Sequence, residues 1–253
     1  MNFMFSIPST VFFGSGAAKS AGEKARAMGA KKVFLVCDKG VRAAGLVDGV
    51  LAGLQEAPAE VLVFDEVEPN PLDTTIERAA GLAREFGPDI IVAVGGGSSM
   101  DAGKAVNILL TNPSPINQYA GLGMVKNPTK TLICVPTTAG TASEVTDFTI
   151  ITDTKTVKKM VIGGPFVGPT IALVDPEMTV NLPPAITAST GLDALTHAIE
   201  AYVSTNAMIP TDCMALKAIE LISANIVEAT RNGGNLAARE AIDARQPDGR
   251  VRL

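Results

Sequence analysis

The chain has 253 residues, 47% of them hydrophobic and 19% charged, a globular balance with length for one large domain or two smaller ones. A net charge of −5 and a pI near 5.0 argue against a surface built for nucleic acid or an acidic membrane, and with no Trp and two Tyr there is no stacking platform for single strands. Cys37, Cys134 and Cys213 are odd in number and far apart. Two of them lie in apolar strand-like runs, which suggests buried thiols in a reducing compartment and not a disulfide framework. The stretch from Met1 to Pro8 has no basic region and too short an apolar run for a signal peptide, and no uncharged apolar stretch reaches bilayer-spanning length. The expectation is a soluble, cytoplasmic protein with neither nucleic-acid nor membrane partners.

In chain order, Lys32 to Asp38 reads as a buried strand, and Val41 to Gln55 follows with helical spacing. Glu60 to Asp65 is a second strand, and Asp73 to Phe86 a second helix with Asp73 or Thr74 as its N-cap. Asp89 to Val94, Ser98 to Leu110 and Thr131 to Val135 continue the alternation as strand, helix and strand. Near-continuous apolar strands separated by helices predict a parallel sheet covered on both faces. Thr146 to Met160 reads as a β-hairpin appended to that core, and Ile171 to Asp175 as a last strand. From Pro176 onward the pattern is helical, over Pro184 to Ser204 and Thr211 to Thr230. The fold class expected is α/β: a parallel-sheet dinucleotide-binding domain over 1–180, then an incomplete all-helical domain over 181–253.

Four segments carry candidate chemistry. Gly95-Gly96-Gly97-Ser98-Ser99-Met100-Asp101 joins a strand directly to a helix. Glycines let the backbone approach a ligand, and the helix start offers unpaired N–H groups to an anion. The turn suits a dinucleotide pyrophosphate or a sugar phosphate, or it is a tight βα turn that binds nothing; it is not the Gly-x-Gly-x-x-Gly fingerprint. Asp38, at a strand's C-terminal end, can accept from a ribose 2′-hydroxyl and repel a 2′-phosphate, or is an ordinary loop aspartate. Pro136-Thr137-Thr138-Ala139-Gly140-Thr141-Ala142-Ser143-Glu144 sets several hydroxyls after the fourth strand, where open α/β sheets bind ligands; the alternative is a solvated helix cap. Finally, Asp193 and His197, the only histidine, stand four residues apart on one helix face. They can converge on a divalent metal such as Fe²⁺ or Zn²⁺, or simply pair with one another.

Together these residues resemble the iron-containing (group III) alcohol dehydrogenase family. The resemblance rests on Phe13-Gly14-Ser15-Gly16, Asp38, Gly95-Gly96-Gly97-Ser98 with Asp101, Pro136 to Thr141 with Ser143-Glu144, and Gly191-Leu192-Asp193-Ala194-Leu195-Thr196-His197 with Glu200-Ala201-Tyr202. These occur in family order from residue 1 to about 240. The resemblance implies an N-terminal dinucleotide domain, a C-terminal helical domain, and NAD or NADP in the cleft between them. It places Gly96, Gly97 and Ser98 at the pyrophosphate and Asp38 in favour of NAD. Asp101, Thr137, Thr138, Thr141, Thr146 and Lys159 complete the cofactor site, and Asp193 and His197 are two of four ligands to Fe²⁺, with Zn²⁺ as the alternative. It further implies homo-oligomers and hydride transfer between a small primary alcohol, diol or aldehyde and NAD(P), the metal acting as a Lewis acid on the alcohol oxygen.

Two departures qualify those expectations. The family's two later histidine ligands have no counterpart here. After Asn235 to Ala241, which reads as the start of a family helix, Ile242 to Leu253 does not continue it, since Pro247 and Gly249 break the pattern. A one-nucleotide shift, under one permitted choice of codons, turns that tail into Gly-Ser-Leu-Met-Ala-Gly-Phe-Ala, so a frameshifted or truncated member is the expectation. Its activity would be impaired, and the apolar faces of 194–203 and 215–226 would lack partners. The alternatives are a catalytically inactive nucleotide-binding remnant and a glycerol dehydrogenase-like enzyme. The Gly-Leu-Asp-x-x-x-His pattern with Pro-Thr-Thr-Ala-Gly-Thr fits the alcohol dehydrogenase branch better.

Overall fold

The computed structural model describes residues 7–57 and 59–244; the tail over 245–253 lies outside the described residues. The chain runs β1 (Thr10–Phe13), α1 (Ala21–Ala27), β2 (Lys32–Val36), α2 (Lys39–Ala43), α3 (Asp48–Glu56), β3 (Glu60–Phe64), α4 (Asp73–Phe86), β4 (Ile90–Gly95) and α5 (Gly97–Thr111). There follow β5 (Gly121–Leu122), β6 (Thr131–Pro136), β7 (Phe148–Asp153), β8 (Lys158–Gly163) and β9 (Ile171–Val174), then α6 (Pro184–Val203), α7 (Ile209–Arg231) and α8 (Leu236–Asp243).

Six strands form one sheet in the order β1-β9-β6-β4-β2-β3, and every pairing in it is parallel. The side chains of β2, β4 and β6 alternate between two cores, as a period of two requires. Phe34, Val36, Ile91, Ala93, Leu132 and Cys134 pack with α4 and α5 on one face. Val33, Leu35, Cys37, Ile90, Val92, Val94, Ile133 and Val135 pack with α1 and α3 on the other. Because both faces are covered, these strands are apolar throughout, which is why they were readable as strands.

The chain adds β3 on one side of β2 and then returns to place β4 on the other. That reversal opens a crevice beyond the C-terminal ends of β2 and β4, the position where doubly wound sheets hold ligands.

Several local readings change. The helix expected over 41–55 is two helices, because Gly45 takes a positive φ of 70° and turns the chain between α2 and α3. At α4 the N-cap position belongs to Leu72, and Asp73 stands in the first turn, where its carboxylate accepts from Thr74 N, Thr154 N and Asn117 Nδ2. The appended hairpin is β7–β8, extended to three strands by β5, which pairs parallel to β8.

The helical half packs differently from expectation. Ala194 and Ala198 of α6 are buried against Ala218 and Ile222 of α7, so the faces expected to stand open cover one another in part. Within the same spans Ile199, Val203 and Leu216 stay exposed, as do Ile186, Leu192 and Tyr202 on α6 and Ile209 and Val227 on α7. Ala139, in the loop after β6, packs on the cluster of Ala229, Ala238 and Ile242 and so joins this half to the sheet's loops. Within the helical half, buried Arg239 of α8 donates to Thr187 Oγ1 at 2.8 Å and to Gly233 O at 3.1 Å, tying the middle of α8 to the start of α6. Among the described residues no helix is long and apolar enough to cross a membrane.

Candidate active site

The C-terminal ends of β2, β4 and β6 each deliver one of the segments singled out above. A cleft of about 1070 Å³ opens there, with Asp38, Gly96, Gly97, Ser98, Thr137, Thr138 and Thr141 on the sheet side and Leu182, Pro183, Ile186 and Thr190 facing them from the helical side. A smaller cleft of about 390 Å³ adjoins it through Gly97, Ser98 and Thr141, and is lined by Asp101, Thr146, Lys159, Asp193 and His197. Every residue expected to hold a cofactor or a metal therefore faces one of two connected cavities.

The backbone explains the shape. α5 begins at Gly97 with no side-chain cap, so its first N–H groups are left to the cleft. A Cβ at Gly97 would come within 2.8 Å of Thr141 Cγ2. Any larger residue would push the Thr137–Thr141 loop off the helix start, and that loop is also fastened to the turn by Thr137 N donating to Gly95 O at 3.0 Å. The Thr138 hydroxyl is buried beside Gly96 and has no hydrogen-bond partner among the described residues. A buried hydroxyl lacking a partner is costly, and a polar ligand in the cleft would supply one. An uncapped helix start, a hydroxyl lacking a partner and a backbone kept bare of side chains fit a phosphate-bearing ligand of dinucleotide size.

Several of the expected residues are held by the protein itself. Asp38 Oδ1 caps α2 by accepting from Val41 N at 2.9 Å, and Oδ2 accepts from Ser99 Oγ at 3.0 Å. Ser98 Oγ accepts from Asn70 N at 3.3 Å. Asp101 does not simply face the cleft. Its Oδ1 accepts from Ser143 Oγ at 2.7 Å and its Oδ2 from Ile150 N at 3.1 Å, joining α5 to β7. Lys159 lies on β8, opposite Thr152 in the hairpin, and contributes the cation at the mouth of the smaller cleft.

Beneath that cleft lies a residue the sequence reading missed. Lys104 is 1% exposed, and its ammonium donates to Ser143 Oγ (2.8 Å), Thr146 Oγ1 (3.2 Å) and Phe148 O (2.6 Å), with Asp101 Oδ1 at 3.9 Å. Burial pushes its pKa down, while Asp101, Cys134, Glu144 and Asp147 pull it back up. Its three donors are all used, so it braces the floor under Thr146. The available signal was a lysine three residues after Asp101 inside the apolar run Ala102-Gly103-Lys104-Ala105-Val106. The two buried thiols are inert for a similar reason: burial, with Asp65 and Asp38 nearby, raises Cys37 to about 12, and burial raises Cys134 as well.

Asp193 and His197 face the smaller cleft from α6, with Oδ1 and Nε2 3.7 Å apart. Two donors bound to one tetrahedral metal at about 2.1 Å stand about 3.4 Å apart, so the pair has the spacing of two ligands. Among the described residues, however, no group of three or more His, Cys, Asp and Glu side chains is placed to hold a metal ion. These residues do not by themselves fit a metal centre, which needs at least three protein ligands.

Comparison with known proteins agrees with this arrangement. A family profile described as iron-containing alcohol dehydrogenase matches residues 8–176, and one described as the C-terminal part of the Fe-containing alcohol dehydrogenase family matches residues 187–245. The 1,3-propanediol dehydrogenase of Klebsiella pneumoniae is 45% identical over 240 residues, covering 94% of this chain and 62% of that enzyme. A crystal structure of a 1,3-propanediol oxidoreductase superposes with a TM-score of 0.94 at 44% identity, over 97% of this chain and 64% of the other. The sulfoacetaldehyde reductase of Bifidobacterium kashiwanohense, solved in complex with NAD+, superposes at 0.90 with 34% identity, over 97% and 65% of the two chains. The chain thus spans 62% of the length of the curated relative it matches. It belongs to the iron-containing alcohol dehydrogenase family.

Proposed function

We propose that the larger cleft binds NAD, and that the activity served is hydride transfer between a small primary alcohol or diol and that cofactor. The observation that carries this reading is the junction of the two clefts at Gly97, Ser98 and Thr141, where an uncapped helix start meets a bare backbone. The N–H groups of α5 would hold the pyrophosphate, the Asp38 carboxylate would accept from one ribose, and the Thr138 hydroxyl would donate to the ligand. Thr141, Thr146 and Lys159 would line the rest of its path, on the side of Asp193 and His197. When bound, NAD supplies the hydride acceptor; the protein aligns it and excludes water. Relatives named for propanediol and for methanol favour short primary alcohols and diols as substrates.

Among the described residues the metal part of the family chemistry has two donors, Asp193 and His197. Asp193 and His197 alone should hold Fe²⁺ or Zn²⁺ weakly, so the 253-residue chain should bind nucleotide more readily than it turns over alcohol. That observation also favours a second reading, nucleotide binding without catalysis.

The test is a titration of NADH followed by nicotinamide fluorescence, which the absence of Trp leaves unobscured. The unmodified chain should bind saturably. Gly97→Val, which places side-chain atoms where Thr141 stands, should weaken binding at least about tenfold. No saturable binding by the unmodified chain, or equal binding by the variant, would overturn the reading.

A further inference from the structure

Ser98 and Ser99 are neighbours on the first turn of α5 but do different things. Ser98 lines both clefts, whereas Ser99 touches only the larger one, is 1% exposed and turns its hydroxyl back onto Asp38. The bond from Ser99 Oγ to Asp38 Oδ2, 3.0 Å long and between residues 61 apart in sequence, crosses from the start of α5 to the end of β2. The backbone is shaped around it. Gly95 has φ +147°, and a Cβ there would stand 2.5 Å from Ser99 Oγ and 3.4 Å from Asp38 Oδ2. With Val41 N held on Oδ1, both carboxylate oxygens are fastened from the protein side, so the carboxylate cannot rotate away from the cleft it lines.

We infer that Ser99 is the positioning residue for cofactor choice: its hydroxyl holds the Asp38 carboxylate where a ribose 2′-hydroxyl is accepted and a 2′-phosphate is refused. The inference rests on the cleft being a dinucleotide site. An aspartate held only by the α2 cap could swing toward solvent. Its charge would then lie farther from a 2′-phosphate and behind more water, and the repulsion would fall with both. Acceptance of the 2′-hydroxyl would weaken for the same geometric reason, since hydrogen bonds lose strength steeply with misalignment.

The experiment is a double-mutant cycle on nucleotide affinity, independent of turnover. NADH and NADPH are titrated by nicotinamide fluorescence into the 253-residue chain, Ser99→Ala, Asp38→Gly and the double variant, with thermal melts confirming that each is folded. The unmodified chain should prefer NADH. Ser99→Ala should lose about three- to tenfold of that preference, and in the Asp38→Gly background it should change the preference by less than about twofold. Ser99→Cys, which keeps a side chain of similar shape with a weak donor, should shift the preference in the same direction as Ser99→Ala. If Ser99→Ala weakens both nucleotides alike, or acts equally with Asp38 absent, Ser99 is merely structural and the inference fails. Binding of NADH with an unmoved preference overturns the role of Ser99 alone; binding of neither nucleotide by the unmodified chain overturns the dinucleotide site and this inference with it.

Discussion

The four inner strands of the sheet, β9, β6, β4 and β2, are paired along both edges and covered by side chains on both faces, whereas α6 and α7 bury one face each and leave the other in solvent. Val203 is 69% exposed and Ile209 64%. The two regions also treat their polar groups differently. In the α/β half, Asp38, Asp101 and Lys104 are locked into hydrogen bonds that reach 39 to 61 residues along the chain. In the helical half, the Asp193–His197 pair lies within one turn of one helix. A site assembled from several elements is preorganised by all of them. A site borne by one helix depends on what its neighbours add, and here the described neighbours add no further donor.

That contrast can be broken first at Lys104. Lys104→Met removes the cation from between Ser143, Thr146, Phe148 and Asp101 and leaves those acceptors buried without it. We expect a loss of about 3 kcal/mol, seen as a fall of several degrees in the melting temperature. A variant as stable as the parent would show that the floor of the smaller cleft is not braced as described.

The helical half gives the opposite expectation. Leu192, Ile199 and Val203 are spaced by seven and four residues, and Ile209 and Leu216 by seven, so each set forms a stripe along its helix. Stripes of this kind drive association. Sedimentation should show concentration-dependent self-association of the 253-residue chain, reduced by Val203→Ser with Ile209→Ser and with little change in melting temperature. A monodisperse monomer would remove the distinction between the two halves.

The smallest effect concerns acid. Burial works to raise the Asp73 carboxyl, but bonds from Asn117, Thr154 and Thr74 outweigh it and bring it below the ordinary carboxylate range. A depressed folded-state pKa contributes stability that is fully present above the unfolded value, about 3.9, and is lost as pH falls through the folded value. Asp73→Asn should therefore cost about 1 kcal/mol at neutral pH and progressively less as pH falls through the folded value, flattening the acid limb of the stability curve. A parallel displacement of the whole limb would assign the effect to packing.

The parts of the fold legible in sequence were those with long apolar runs: β2, β3, β4, β6 and β9 all fell within a residue or two of their expected bounds. β1 went unread because it is four residues on a sheet edge with only partial burial, and β5 because it is two residues long. α1 offers only Ala21, Gly22 and Ala25 as its buried face, too small a stripe to register as amphipathic. At the site, Asp38, the glycine turn and the Thr137–Thr141 loop were readable because each directly follows a strand. Ser99 and Lys104 were not, since what they do is decided by partners distant in sequence, and a lysine or serine in an apolar helix carries no mark of which acceptor awaits it.

The central expectation is that the described site binds nucleotide while Asp193 and His197 by themselves hold metal only weakly, and both can be measured on one sample. After dialysis, NADH bound per chain, iron and zinc per chain, and NADH formed from NAD with a short diol are determined together. The account predicts about one nucleotide per chain at saturation, metal well below one per chain, and no measurable turnover. Stoichiometric metal with turnover would contradict it, and would show that other side chains, Glu200 or the part-buried Asp212 among them, complete the site around Asp193 and His197.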